Sequence, residues 1–532
     1  MAGVLVFGDI TDTELTPASL EVATAGANLA GALGEPLLGA LVGNDVSGAA
    51  GQFRGGFALR AAEAVVALAP HAPPLAALLQ SLREHSLLVG RASGASGRVR
   101  LSLPSIVREL ALERCSTRAP HDPLLASAPV RHMRHFAALA SELLAQPGNS
   151  ELRARFALEQ HNALAALRHS LREPASDPSA AFALLRALEP VLLARGPAGE
   201  LAQLLNSALE LGASEPELQA ARLGVRQLRA RLLAPAGQLE RARSELRAVI
   251  HDARALGATQ LEASARLDLG VAQHFARELD DAREHYERAL GLLAEGDDVV
   301  SEARCIGNLA AIAHDRAELQ PALADYRRAI ALLEDASEPR LLANFWGNRA
   351  LCEHELEQTE LAAESYRRAL ALLEPLGDAR LLGIVLSNYG TLMLEQDGPT
   401  AALPLQQRAC ALLQGAGDPR SDALARGRRA VVLAQLDQSE KAERDCAYAE
   451  RALRHDPIGV ATIGLFRGFL ELAHARHALR TGARSLAAAE HAAAVQRLAR
   501  ATAVDRCDDL RLYARLLHPV LENVQHELTR LR

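Results

Sequence analysis

The chain has 532 residues, of which 49% are apolar and only 3% aromatic, and its formal net charge is −7. This length is typical of about three or four domains, and the scarcity of aromatic residues requires a core of small aliphatic side chains. The negative charge disfavours general affinity for nucleic acid. Lys441 is the only lysine among the 58 basic residues, which restricts phosphate-binding chemistry.

The N-terminus, MAGVLVFGDITDTE, has no basic region before its apolar residues and therefore predicts no secretory signal. A run of about 18 uninterrupted apolar residues, which a membrane-spanning helix requires, does not occur. The cysteines are scattered without C-x-x-C spacing, so we expect thiols that pack like small hydrophobic residues in a reducing compartment. They are Cys115, Cys305, Cys352, Cys410, Cys446 and Cys507. The sequence thus predicts a cytoplasmic protein with no membrane partner.

Residues 1–50 are predicted to form one β-α-β unit. The apolar runs 4–7 and 37–42 predict two strands. Thr16 followed by Pro17 is typical of a helix start, because threonine caps the first turn and proline needs no hydrogen-bond partner there. Two parallel strands and one helix are too few to form a stable sheet alone.

This first segment resembles the start of electron transfer flavoprotein alpha subunits. The resemblance lies in VLVFGDI at 4–10, LTPASLEVATAG at 15–26 and LVGNDVSGAA at 41–50, and it ends there. In that family the flavin belongs to a later domain, and the motifs of that domain have no counterpart in this sequence. The resemblance therefore implies shared ancestry of a fragment, with no cofactor. An electron carrier derived from such a subunit is one alternative function.

Residues 51–118 have the pattern of a winged helix. Two predicted helices, 58–68 and 74–88, precede a β-hairpin with the turn SGASG, and a helix at 103–115 follows. FRGGF, SLREHSLL and IVRELALER resemble the winged-helix segment of multidomain signal-transduction regulatory ATPases, in which a nucleotide-binding domain comes first and helical segments follow. Here that nucleotide-binding domain is missing, and a helical linker is predicted at 119–217.

A DNA-binding regulator is the second alternative function, because residues 51–115 contain eight Arg and four Glu and are locally basic. The predicted helix at 103–115 offers mainly Arg108 and Arg114, with Glu109 and Glu113 between them. A recognition helix needs several side chains that reach base edges, so this alternative ranks below a protein-binding role.

A repeat domain is predicted at 218–457: residues 259–418 have a 40-residue period, and weaker units flank them at 218–258 and 419–457. The recurring residues are Tyr286, Tyr326 and Tyr366; Arg288, Arg328, Arg368 and Arg408; and Gly270, Ala310, Ala350 and Gly390. Small residues at fixed offsets let paired helices approach closely, and we expect the tyrosines in the core. These spacings resemble tetratricopeptide repeats with longer helices. The fold predicted for the chain is mainly α, a tetratricopeptide-type α-solenoid of about six repeats with a helical cap at 458–532.

The sequence contains no catalytic constellation. A phosphate-binding loop needs a lysine beside its glycines, and Lys441 lies in QSEKAERD, which has no glycine. The glycine-rich turn at 90–97 enters a second strand instead of a helix, which is typical of a wing. The pairs His132/His135 and His474/His477 lack a third ligand, so we interpret them as surface or half-buried residues. We therefore predict no enzyme activity, nucleotide, cofactor or metal.

One set of residues is a candidate binding site. Asn308, Asn348 and Asn388 recur at one helical position in three consecutive repeats, and in tetratricopeptide repeats this position faces the concave groove. Asparagine amides offer donors and an acceptor that can pair with the backbone of an extended peptide. The neighbouring groove positions are Arg304, Asn344, Leu351 and His354, beside His314, Asp315 and Glu355. Two interpretations stay open: a peptide or protein ligand, or hydrogen bonds that fix repeat stacking.

Overall fold

The computed structural model describes the chain in two units, 1–261 and 262–532, which are treated separately below. The described residues are 10–11, 14–15, 53–54, 56–68, 73–84, 87–93, 98–105, 107–108, 111–112, 123–146, 149–172, 177–195, 198–211, 218–233, 238–294, 296–336, 338–502 and 508–530. The first 50 residues contribute β1 (Ile10–Thr11) and β2 (Glu14–Leu15), which pair antiparallel. The strands and helix predicted there lie outside the described residues.

The first unit contains the predicted helix pair and hairpin. The elements are α1 (Leu59–Val65), α2 (Leu75–Glu84), β3 (Val89–Ser93) and β4 (Arg98–Ser102). Strands β3 and β4 pair antiparallel, and Phe57 forms an isolated bridge with Leu101. Both helices are shorter than predicted. Helix α1 ends because Val66 is already extended, and α2 ends because the N–H groups of Leu87 and Leu88 both turn back to the carbonyl of Leu82.

The other elements in the described part of the first unit are helices. They are α3 (Pro123–Ala126), α4 (Ala128–Ala145), α5 (Ser150–Leu158), α6 (Gln160–Arg172), α7 (Pro178–Arg195), α8 (Ala198–Glu210), α9 (Gln219–Leu233) and α10 (Leu239–Ala255). The hairpin is fixed to α6 by a buried polar network. Arg100 donates to Glu159 Oε1 at 2.6 Å and to the carbonyl of Gly56 at 2.8 Å, and Asn162 donates to both of those residues. Arg100 of the locally basic segment is therefore paired with a carboxylate inside the protein.

His132 differs from its sequence interpretation as a surface or half-buried residue. It is only 3% exposed and its ring packs against those of Phe53 and Phe136. Burial in this apolar setting lowers the pKa of His132 to about 3, with further lowering from His135, His169 and Arg54. The ring is neutral at physiological pH and belongs to the core, because the helix face that carries it is covered by aromatic residues.

The second unit begins with five antiparallel helix pairs. They are α11 (Thr259–Phe275) with α12 (Leu279–Leu293), α13 (Val299–Asp315) with α14 (Leu319–Leu333), α15 (Pro339–Glu355) with α16 (Thr359–Leu373), α17 (Ala379–Gln396) with α18 (Pro399–Ala416), and α19 (Pro419–Gln435) with α20 (Ser439–Leu453). The division between the units falls inside the first turn of α11. In each pair we refer to the first and the second helix.

The small residues of the repeat have the predicted role. A Cβ atom on Gly270 would lie 2.6 Å from the ring of Tyr286, so glycine is required for the first and second helices to meet there. Between repeats, a Cβ atom on Gly307 would lie 2.2 Å from Phe345. Tyr286, Tyr326 and Tyr366 are each at most 1% exposed, which confirms their prediction as core residues.

Four of the cysteines are packed in the interior like small hydrophobic residues, as predicted. Cys305, Cys352, Cys410 and Cys446 are buried. Burial raises the pKa of Cys305 and of Cys446 to about 12, and that of Cys410 to about 11. Their thiols are therefore protonated and unreactive at neutral pH. Cys115 and Cys507 lie outside the described residues.

Three longer helices complete the second unit: α21 (Pro457–Arg480), α22 (Arg484–Thr502) and α23 (Asp508–Arg530). Among the described residues, α21 is the one helix long and apolar enough to cross a membrane, and 67% of its most apolar window is buried. Its Phe466 and Phe469 pack against Tyr513 of α23. Its apolar character is thus accounted for by its place in the core of the cap.

Candidate functional site

The three predicted asparagines lie at one position of the first helices α13, α15 and α17, and all three are half-buried. We call this surface, defined by Asn308, Asn348 and Asn388, the asparagine face. Within the described chain, the amides of Asn308 and Asn348 make no hydrogen bond. Asn388 differs from them, because its Oδ1 accepts a hydrogen bond of 2.5 Å from Nη1 of Arg428 in the next repeat.

Charged residues occupy the same repeat position at both ends of the asparagine face. Asp268 precedes the asparagines, and Nη2 of Arg304 lies 3.6 Å from its carboxylate. Arg428 follows them and also donates to Oγ of Ser387 at 3.2 Å. The predicted residue Arg304 is therefore a link between two repeats at one end of the face.

The remaining predicted residues lie on α15. Asn344 and Leu351 are half-buried, and they lie four residues before and three residues after Asn348. Residues at these offsets share one helix face, so the structure brings these three side chains together. His354 is fully buried, and its Nε2 lies 2.5 Å from Oε1 of Glu395. Its ring is therefore not part of the exposed asparagine face.

His354 belongs to a series of histidine–carboxylate contacts between consecutive repeats. His274 Nε2 lies 3.0 Å from Asp315 Oδ2, and His314 Nε2 lies 2.8 Å from Glu355 Oε1. Each contact joins the ends of two successive first helices. These pairs were not among the predicted contacts, although the recurrence of His274, His314 and His354 at the 40-residue period is a sequence signal for them.

The C-terminal helix α23 covers the end of the first helices. Arg511 Nε donates to Glu355 Oε2 at 2.9 Å, and its Nη2 donates to the carbonyl of His314 at 2.9 Å. Arg515 Nη1 donates to Glu357 Oε1 at 2.9 Å. These arginines therefore bind the carboxyl-terminal ends of α13 and α15, where carbonyl groups lack partners within the helix.

Tyr513 of α23 closes one part of the asparagine face. Its hydroxyl lies 2.8 Å from Oγ1 of Thr391, and both residues are buried. Thr391 follows Asn388 by three residues and shares its helix face. The α17 end of the face is thus occupied by Arg428 and Tyr513, whereas the amides of Asn308 and Asn348 make no hydrogen bond within the described chain. No part of the described chain gathers three metal-ligating side chains.

The comparisons with known proteins agree with this architecture. Residues 341–415 match the tetratricopeptide repeat family. The helix pairs within this range are tetratricopeptide repeats. The match covers α15 to α18 and confirms the fold class predicted from the 40-residue period. No curated protein matches the chain.

Several solved structures are similar to these tetratricopeptide repeats and the helices around them. A signal transduction ATPase with numerous domains, with a tetratricopeptide repeat sensor, from Pyrococcus horikoshii aligns with 81% of this chain at 13% identity and a TM-score of 0.50. The alignment spans 59% of that protein. A Rap protein complexed with competence and sporulation factor aligns with 66% of this chain and 98% of its own, at 13% identity and a TM-score of 0.45. At such identities the likeness is one of fold alone.

Proposed function

We propose that the chain is a non-catalytic scaffold or sensor that binds a peptide or protein partner on the asparagine face. The observation that carries this proposal is the pair of half-buried amides of Asn308 and Asn348, which make no hydrogen bond within the described chain. Tetratricopeptide repeats, which residues 341–415 match, are an architecture that presents extended binding surfaces.

The chemistry of the face suits an extended peptide. Each amide offers two donors and one acceptor, which matches the alternating N–H and C=O groups of a peptide backbone. Leu351 adds an apolar contact on the same face of α15. Such a ligand would be held by its backbone at two consecutive repeats and by one apolar side chain. We place this activity in the cytoplasm, as the sequence predicts.

A quantitative pull-down from lysate of the source cell tests the proposal. The double variant Asn308→Ala, Asn348→Ala removes both amides, and we expect it to lose the specific partners by about tenfold or more, since two polar contacts of about 1 kcal/mol each are lost. The matched control is Asn523→Ala, an exposed asparagine of the same unit.

Thermal unfolding of both variants provides the second measurement. We expect unchanged midpoints, because the amides of Asn308 and Asn348 stabilise no other part of the described chain. Partners retained by the double variant at wild-type levels would refute the proposal. A midpoint lowered only in the double variant would instead support the stacking interpretation.

A further inference from the structure

A basic cleft lies beside the last repeat of the second unit. It is an open cleft of about 650 Å³ between α18, α19 and α20. Its lining includes Lys441, Arg444, Tyr448 and Arg451, which follow one face of α20, and Gln407 of α18. We call this surface, defined by these five residues, the basic cleft.

Two further arginines form part of the same lining but are neutralised by neighbouring carboxylates. Arg426 Nε donates to Asp422 Oδ1 at 2.9 Å. Arg429 donates to both carboxylate oxygens of Asp445 at 2.7 Å. These pairs form a fixed wall and contribute no net charge to the cleft.

The three cations on α20 have no carboxylate partner within the described chain. Lys441 Nζ donates to the amide oxygen of Gln438 at 2.9 Å, and Arg444 Nε donates to the backbone carbonyl of Glu440 at 3.2 Å. Arg451 is exposed. Glu443 and Glu450 on the same helix are both bound by Arg467 of α21. Arg467 balances only one of these two carboxylates, so with Glu440 also counted, three cations and two anions leave a net charge of +1.

The other repeats provide an internal comparison for this helix face. At the positions of Lys441, Arg444 and Arg451, the preceding second helices carry acidic, apolar or small residues. In chain order these are Asp281, Pro321, Leu361 and Ala401; Glu284, Ala324, Glu364 and Pro404; and Gly291, Ala331, Ala371 and Ala411. The position of Tyr448 is arginine in all four. The repeat architecture therefore does not require this basic face, which is a feature of α20 alone among the second helices of these five pairs.

We propose that the basic cleft binds an acidic peptide segment of a protein partner. Lys441 and Arg451 are ten residues apart, which is about 15 Å along a helix, so one phosphate group cannot contact both. The ring of Tyr448 lies between them, and Arg426 is stacked on it at 4.2 Å. This alternation of charge and ring matches a peptide whose acidic residues flank an apolar one. The net charge of −7 disfavours a nucleic acid, which carries far more negative charge.

The basic cleft is separate from the asparagine face. On α19 the cleft uses Arg426, Arg429 and Leu433, which lie three and four residues apart and share one face. Arg428, which closes the end of the asparagine face, lies on a different face of the same helix. The cleft and the proposed function can therefore be tested independently.

Fluorescence anisotropy with a defined probe tests the cleft. The probe is a fluorescein-labelled decapeptide that alternates glutamate with leucine, titrated with the full chain at 50 mM and 200 mM salt. The variant Lys441→Gln, Arg444→Gln, Arg451→Gln removes the three cations, and we expect binding weaker by about tenfold or more, since three charge-assisted contacts are lost.

The matched control is Arg60→Gln, Arg247→Gln, Arg327→Gln. These arginines are exposed and form no ion pair within the described chain, so the control removes the same charge elsewhere. We expect its affinity to stay within about twofold of the wild type. Equal weakening in both triple variants, or no binding at 50 mM salt, would overturn the proposal. A decamer of single-stranded DNA that competes better than the peptide would overturn the ligand class.

The single lysine allows a direct footprint. An amine-acetylating reagent can modify only Lys441 and the α-amino group of the chain. We expect saturating peptide to slow acetylation of Lys441 while the α-amino group, measured in the same digest by mass spectrometry, reacts at an unchanged rate. Unchanged reactivity of Lys441 would place the peptide elsewhere and refute the site. The double variant of Asn308 and Asn348 should still bind this probe, so failure of one proposal leaves the other testable.

Discussion

Asn348 and Asn388 occupy the same position in consecutive repeats, yet they differ in what surrounds them. The amide of Asn348 has no hydrogen-bond partner in the described chain, whereas that of Asn388 accepts from Arg428 at 2.5 Å. The same contrast holds three residues later, where Leu351 is half-buried and Thr391 is covered by Tyr513. The difference arises because Arg428 of the fifth helix pair contacts Asn388, and Tyr513 of α23 contacts Thr391.

This comparison teaches that a residue repeated at one period can lack a partner within the described chain in one repeat and stabilise the fold in another. A repeat position fixes the direction of a side chain, since every unit has the same helix pair. The partner of that side chain depends on the next repeat, and there Asn gives way to Arg428. The substitution with the largest expected effect is therefore the one that removes the α23 side chain at the closed end of the face.

Tyr513→Ala should open the closed end and have the largest effect on stability. Tyr513 is 1% exposed and packs against Phe466 and Phe469, so truncation leaves a cavity. We expect the free energy of unfolding of the second unit to fall by about 3–5 kcal/mol, as for other buried aromatic residues. Urea unfolding followed by circular dichroism measures it. A loss below about 1 kcal/mol would show that α23 does not hold this end closed.

Asn388→Ala and Asn348→Ala compare the two ends directly. The first substitution removes the acceptor of the Arg428 guanidinium, which is 8% exposed, and should cost about 1–2 kcal/mol of unfolding free energy. The second removes an amide without a partner in the described chain and should change stability by less than about 0.5 kcal/mol. Urea unfolding of both variants checks this. Equal losses would mean that both asparagines fix repeat stacking.

Thr391→Val should have a smaller effect than Tyr513→Ala and Asn388→Ala. Valine keeps the volume of threonine but removes the oxygen that lies 2.8 Å from the Tyr513 hydroxyl. We expect a loss of about 1 kcal/mol, mainly from this bond, because the second bond of the same oxygen, to the carbonyl of Ser387 at 3.2 Å, lies within one helix and adds little stability. Thr391→Ser keeps the hydroxyl and is the control for the hydrogen bond itself. If both substitutions lower the unfolding free energy equally, packing and not the hydrogen bond joins α23 to α17.

Much of the fold could be predicted because the residues that pack repeats together recur in the sequence at a fixed period. The alternation of Gly270, Ala310, Ala350 and Gly390 with tyrosines on the second helices predicted the helix pairs, and the close approach of Gly270 to Tyr286 is its physical basis. The hairpin of β3 and β4 could also be predicted, since a short turn between two runs of alternating residues is enough to predict it. The helices α1 and α2 were predicted too long, because the turns that end them are set by the backbone of Val66 and by hydrogen bonds to Leu82.

The candidate site could be predicted only as a row of side chains facing one way. The positions of Asn308, Asn348 and Asn388 follow from the 40-residue period alone. The burial of His354 against Glu395 does not, because the two residues are 41 positions apart and meet only when repeats stack. The contact of Arg511 with Glu355 spans 156 positions and leaves no periodic trace.

By itself, the sequence determined the repeat, its small-residue contacts, the buried tyrosines and the absence of a lysine from any phosphate-binding loop. These depend on residues close in the chain or at a fixed period, where helix geometry dictates direction. Only the tertiary structure decided which asparagine amides are hydrogen-bonded, where α23 lies and which arginines are paired with a carboxylate. Each of these depends on a partner from a distant segment, and polar groups near the core are stable only when such a partner or water satisfies them.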